Sequence, residues 1–107
     1  MDLLIELNEK RALLDKAIET LANNGYDKAA KERDYKIAIN KKALELRAED
    51  MPVTLINTII YGYEDIAKLR FDRDIAEGLK NSAEKGTDFY KLYARLIRTY
   101  RLASSNS

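Results

Sequence analysis

The stretch ALELRAEDMPVTLINTIIYGYEDIA, Ala43 to Ala67, decides the fold. Asp50-Met51-Pro52 must interrupt a helix, because the proline ring pushes Met51 out of the helical region. Pro52-Val53-Thr54 reads as a restart, with Thr54 placed to cap a short helix, Leu55 to Tyr61, that Gly62 ends. Leu55, Ile56, Ile59 and Ile60 make that helix nearly all apolar, so it is expected to be buried as a plug between longer helices. The next helix opens near Tyr63, where Glu64 and Asp65 suit the positive end of its dipole.

Toward the N-terminus, a helix is predicted from about Asp27 to Glu49. Tyr26, Ala30, Ile37, Leu44 and Ala48 fall on one stripe, and Tyr35, Ile39, Ala43 and Leu46 fall on nearly the opposite one. A helix with two apolar faces needs two partners: it is the middle helix of a bundle, or one face meets another copy of the chain. Tyr35, Ile39, Ala43 and Leu46 are the candidate self-association face. Asn23-Asn24-Gly25 reads as a stop, with Gly25 able to take the left-handed conformation, so a first helix should run from about Leu3 to Ala22. Leu7, Leu14 and Leu21 recur every seven residues, flanked by Leu4 and Ile18 and interrupted by Arg11, which is coiled-coil spacing. Asp2 is placed to cap it.

Toward the C-terminus, Ile66, Leu69, Phe71, Ile75, Ala76, Leu79 and Ala83 form a broad apolar arc. Gly86-Thr87-Asp88 is either a helix end followed by a new cap or a weak point in one continuous helix. Asp88 to Leu102 is helical again, and Ala103 to Ser107 reads as a frayed tail. The fold expected is therefore all-α. It is a helical bundle built from a long antiparallel helix hairpin, a short buried helix and a long C-terminal helical segment, forming one domain over residues 1–107. Leu14, Ile18, Leu21, Ile37, Leu44, Ile66, Leu69 and Ile75 are its expected core.

Composition agrees with this class. The 107 residues include one proline and four scattered glycines, and Ala, Leu, Ile, Lys, Glu and Arg dominate. A chain this size buries roughly 65% of its unfolded surface, enough for one core. With 19 basic against 18 acidic residues, the net charge of +1 argues against a surface built wholly for nucleic acid. No cysteine is present, the opening MDLLIELNEKR is unlike a signal peptide, and no apolar run approaches a membrane span, so the expected address is a cytoplasm.

Catalysis finds little to work with. The chain has no histidine and no cysteine, which removes the commonest general base, the thiolate nucleophile and the usual zinc ligands. No glycine-rich phosphate loop follows a strand. Asp72, Asp74 and Glu77 cluster, but Arg70 and Arg73 sit among them, the pattern of an ion-paired helix surface. No enzyme activity, cofactor or metal is expected.

One local charge asymmetry stands out. After Asp88 there is no acidic side chain, while Lys91, Arg95 and Arg98 fall within about 60° of one another on a helix and Arg101 lies at the edge. Phe89, Leu92, Tyr93, Leu96, Ile97 and Tyr100 occupy the other face. The basic stripe suits phosphates or an acidic partner protein, or is simply solvated. Seven tyrosines against two phenylalanines and no tryptophan add interface character. Tyr90, Lys91, Tyr93, Arg95, Arg98, Tyr100 and Arg101 are the candidate partner-binding residues. The helix–break–helix pattern from Lys41 to Asp74 also suggests a helix-turn-helix. Its short helix offers only Thr54, Asn57, Thr58 and Tyr61, without Lys or Arg for DNA.

ERDYKIAINKKALELRAEDMPVTLI (Glu32 to Ile56) and YGYEDIAKLRFDRDIAE (Tyr61 to Glu77) resemble short helical proteins encoded by phages and prophages of low-GC Gram-positive bacteria. LNEKRALLDKAI (Leu7 to Ile18) and YKLYARLIR (Tyr90 to Arg98) fit more loosely. That family pattern has glycine at position 50 and a more acidic C-terminal end closing on an aromatic residue; Asp50 and RTYRLASSNS depart from it. The resemblance implies an early-gene setting among recombination and replication functions, in the host cytoplasm, and brings no assigned activity or functional residue. The expected function is a non-catalytic adaptor or inhibitor that self-associates and binds a host or phage protein. An accessory nucleic-acid-binding role through the C-terminal basic helix is the alternative.

Overall fold

The computed structural model describes residues 2–105; Met1, Asn106 and Ser107, the last two from the expected frayed tail, lie outside them. The described chain is all-α, with no strand: α1 (Leu3–Ala48), α2 (Val53–Ile59), a 3-10 turn (Ile60–Gly62) and α3 (Glu64–Ser105). Asp2 caps α1, its Oδ1 accepting from the Leu4 amide at 2.8 Å.

The break anticipated at Gly25 is absent, and of the two alternatives at Gly86 the continuous helix is the one observed. α1 runs straight through Asn23-Asn24-Gly25, and Gly25 has no positive φ. α3 is likewise continuous through Gly86 and on to Ser105, past the point where fraying was expected. A glycine inside a helix costs about 1 kcal/mol relative to alanine, a penalty that packing on either side can offset. Packing on both sides is visible in the heptad rows. On α1, Leu7, Leu14, Leu21, Lys28, Tyr35 and Lys42 form one row, and Leu3, Lys10, Ala17, Asn24, Lys31 and Ala38 the next; every one is buried or half-buried. On α3 the matching rows are Ile66, Arg73, Lys80, Thr87 and Ala94, and Leu69, Ala76, Ala83, Tyr90 and Ile97. This is the 3.5-residue repeat of a coiled coil.

The chain folds as two compact units, one from residues up to Asn24 with those from Leu79 onward, the other Gly25–Gly78. In each unit the segments of α1 and α3 run antiparallel. In the first, Tyr93 donates a hydrogen bond to Glu6, Lys10 lies over the Tyr93 ring at 4.8 Å, and Asn24 donates to the Leu79 carbonyl at 3.4 Å. In the second, Arg73 lies over Tyr35 at 4.6 Å and Lys42 reaches Asp65 at 3.4 Å. That unit holds the tightest packing: Leu46, Ile56 and Ile60 cluster with Ile39, Ala43, Met51 and Tyr63, and Ile66 is 0% exposed.

The connection between α1 and α2 closes as a Schellman motif. Met51 N–H donates to the Leu46 carbonyl at 3.1 Å and Asp50 N–H to Arg47 at 3.0 Å, with Asp50 left-handed at φ 62°. α2 begins two residues earlier than expected, with extended Pro52 as its cap; Thr54 lies inside and its carbonyl accepts from the Thr58 hydroxyl. Only one face of α2 is buried. Ile56 and Ile60 point inward, whereas Val53 and Leu55 are exposed.

The core also differs in register from the expectation. Ile66 is buried, and Leu14, Leu21 and Leu69 are half-buried, but Ile18, Ile37, Leu44 and Ile75 are exposed. In the first segment the row beside Leu7, Leu14 and Leu21 is Leu3, Lys10, Ala17 and Asn24, not Leu4, Arg11 and Ile18. The physical reason is that lysines occupy seam positions by burying their stems and extending their amines to the edge. Lys28, Lys31 and Lys42 therefore belong to the inward face that composition alone assigns to solvent.

Candidate functional site

No carboxylate cluster able to hold a metal ion occurs among the described residues. Arg73 engages Asp74 at 2.8 Å while stacking on Tyr35, which raises its already high pKa, chiefly through the Asp74 hydrogen bond. The acidic run Asp72, Asp74 and Glu77 thus sits beside a cation of its own helix. No helix among the described residues is long and apolar enough to cross a membrane.

The stripe proposed for self-association faces inward. Tyr35 and Leu46 are each 5% exposed, and Ile39 and Ala43 pack on the Leu46–Ile56–Ile60 cluster. The free stripe of that segment is the other one: Ile37 is 58% and Leu44 71% exposed, with Tyr26 on the same side. Sequence reasoning found both stripes, but the one it offered as the free face is the one that packs inward. The signal that separates them is heptad register: Tyr35 continues the row of Leu7, Leu14 and Leu21, and Ile37 does not.

The C-terminal candidates divide three ways. Lys91, Arg95 and Arg98 are exposed on one side of α3, with Arg101 also exposed. Tyr90 is half-buried in the seam against α1. Tyr93 is held by Glu6 and Lys10, and the hydrogen bond to Glu6 pushes its phenol pKa up, with desolvation adding to the shift. Tyr100 is exposed. The structure therefore does not gather these residues into one patch. Other tyrosines carry cations within the second unit, Lys42 over Tyr63 and Arg70 over Tyr61, so much of the tyrosine content serves internal contacts.

Sequence reasoning missed one feature. In the first unit a groove runs between α1 and α3, lined by Leu13, Ala17, Thr20, Ala83, Gly86 and Tyr90. Leu79, Phe89 and Leu96 stand exposed on the α3 side of that unit. Leu79, Gly86 and Tyr93 recur at seven-residue spacing, as do Ser82, Phe89 and Leu96, a heptad signal present in the sequence itself.

No family model, curated protein or solved structure matches the chain. What the described residues themselves define is an all-α fold of two long helices and one short one.

Proposed function

We propose that this protein is a non-catalytic helical adaptor or inhibitor that self-associates and binds another protein, in the cytoplasm and in the phage early-gene setting that its sequence resemblance implies. The observation that supports this reading most is the apolar surface left over after the helices pair. Tyr26, Ile37 and Leu44 stand exposed along one outward side of α1 in the second unit, with charged and polar residues between them. Apolar patches rimmed by charge mark protein-binding surfaces, and exposed tyrosine and leucine there are suited to anchor a partner helix. A host defence or replication protein, or another phage protein, is the class of target.

The test is affinity capture from infected cells, with and without nuclease, using wild type and the Ile37→Glu, Leu44→Glu double variant. A partner retained under nuclease and lost with the variant is the expected result. Equal recovery by both forms would reject this stripe. The exposure of Lys91, Arg95 and Arg98 favours one second reading, nucleic-acid binding through the α3 basic side. It requires a salt-sensitive gel shift at micromolar protein that disappears when all three are alanine; we expect no shift.

A further inference from the structure

α3 carries a second heptad row that the chain uses only in part: Gly86 and Tyr93 are half-buried toward α1, whereas Leu79, Ser82, Phe89 and Leu96 are exposed. Leu79, Ser82, Gly86, Phe89, Tyr93 and Leu96 alternate at three- and four-residue spacing, the a/d pattern that packs one helix on another. This row lies beside the seam that faces α1 and belongs wholly to the first unit. Leu79, Phe89 and Leu96 are each more than half exposed.

The order of sizes along the row suggests what covers it. When two copies of the row are laid antiparallel with a twofold axis between positions 86 and 89, Gly86 meets Phe89 of the other copy. Ser82 then meets Tyr93, and Leu79 meets Leu96. Small faces large at each step, and leucine faces leucine, so the stripe is complementary to itself, as a twofold interface requires. Gly86 has open space where a Cβ would stand, so nothing inside the chain requires its small size. Area points the same way. Each half-exposed large side chain offers on the order of 100 Å². With neighbouring Leu13, Leu92 and Tyr100, the stripe offers about 600 Å² per protomer, at the lower end of what a stable interface covers on each partner.

We infer that this stripe is the contact between two copies of the chain, packed α3 against α3 in antiparallel register about the Gly86–Phe89 steps. This deepens the self-association in the proposed function and rests on it, but is independent of the Ile37–Leu44 stripe.

The native chain lacks cysteine, so crosslinking is clean. Leu79→Cys and Leu96→Cys proteins, oxidised separately and as a mixture, should link only in the mixture; links within either protein alone would overturn the antiparallel register. Light scattering should report a dimer at micromolar concentration. Phe89→Glu should raise the dimer dissociation constant at least 100-fold with helical circular dichroism unchanged. Gly86→Leu provides the control for folding: it should keep or raise the melting temperature of the monomer, because its side chain enters open space, yet weaken the dimer. A wild-type monomer at hundreds of micromolar, or a dimer indifferent to both substitutions, would overturn the proposal. Equal recovery of a partner by wild type and the Ile37→Glu, Leu44→Glu variant, with the dimer intact, would instead indict the docking reading alone.

Discussion

At Asp50 the backbone sits at φ 62°, the one non-glycine left-handed residue among those described. An L-residue there is strained by about 1 kcal/mol, less for Asp than for most. Asp50→Gly should therefore stabilise the protein by about 0.5–1 kcal/mol in thermal melts. Tyr93 makes a second residue-scale prediction. Its phenol donates to Glu6, which raises the folded pKa above the ordinary value near 10. The hydrogen bond thus contributes fully below about pH 10 and is lost as pH rises through the folded value. Alkaline melts should show wild type losing its advantage over Tyr93→Phe above pH 10, and phenolate absorbance should rise later in wild type than in the variant. Thr87, buried in the seam with its hydroxyl unpartnered among the described residues, is a cost for which the structure shows no compensating bond.

The helices as elements test the register directly. A turn at Gly25 would make Gly25→Ala destabilising, since alanine resists the left-handed region. Gly25 is helical with open space at its Cβ position, so the same change should stabilise by about 1 kcal/mol. The sign of that one melt separates a continuous α1 from two helices. Leu46→Ala should cost about 2–4 kcal/mol, because Leu46 is 5% exposed at the centre of the tightest cluster. Leu44→Ala, two residues away, should change stability by less than about 0.5 kcal/mol. The proline break, the short α2 and the start of α3 were all legible in the sequence. They rest on local stereochemistry at Pro52 and on the dipole-matched acids Glu64 and Asp65. Register was not legible, because a helical wheel at 100° per residue drifts about 20° per heptad against a 3.5-residue seam. Lysines in the seam then disguise the true face, as at Lys28 and Lys42.

For the whole molecule, all-α architecture followed from composition, and the absence of histidine and cysteine narrows the side-chain chemistry the chain can offer. The surfaces were only partly readable. Tyr35, Ile39, Ala43 and Leu46 look as free as Ile37 and Leu44 until α2 and α3 are placed against them. The α3 row from Leu79 to Leu96 is visible as spacing, yet its availability depends on which neighbouring row α1 occupies. A near-neutral charge leaves apolar contact as the stronger source of affinity for a partner, with Lys91, Arg95 and Arg98 suited to steering its approach.

The antiparallel course of α1 and α3 also sets an order of events in time. Leu46 and Met51, at the turn, are separated by only a few residues, whereas Asn24 and Leu79 are 55 apart and Tyr93 and Glu6 are 87 apart. The entropy of closing a loop grows with the logarithm of its length, so bringing the Glu6–Tyr93 pair together first costs about 2.5 kcal/mol more than starting beside the turn. Once the inner pairs are formed, each following pair closes almost no loop at all. Folding is therefore expected to zip outward from Asp50 and α2, so that the Glu6–Tyr93 pair forms last. During synthesis the Leu7, Leu14 and Leu21 row then waits, unpaired, until the Thr87–Ile97 segment of α3 has left the ribosome.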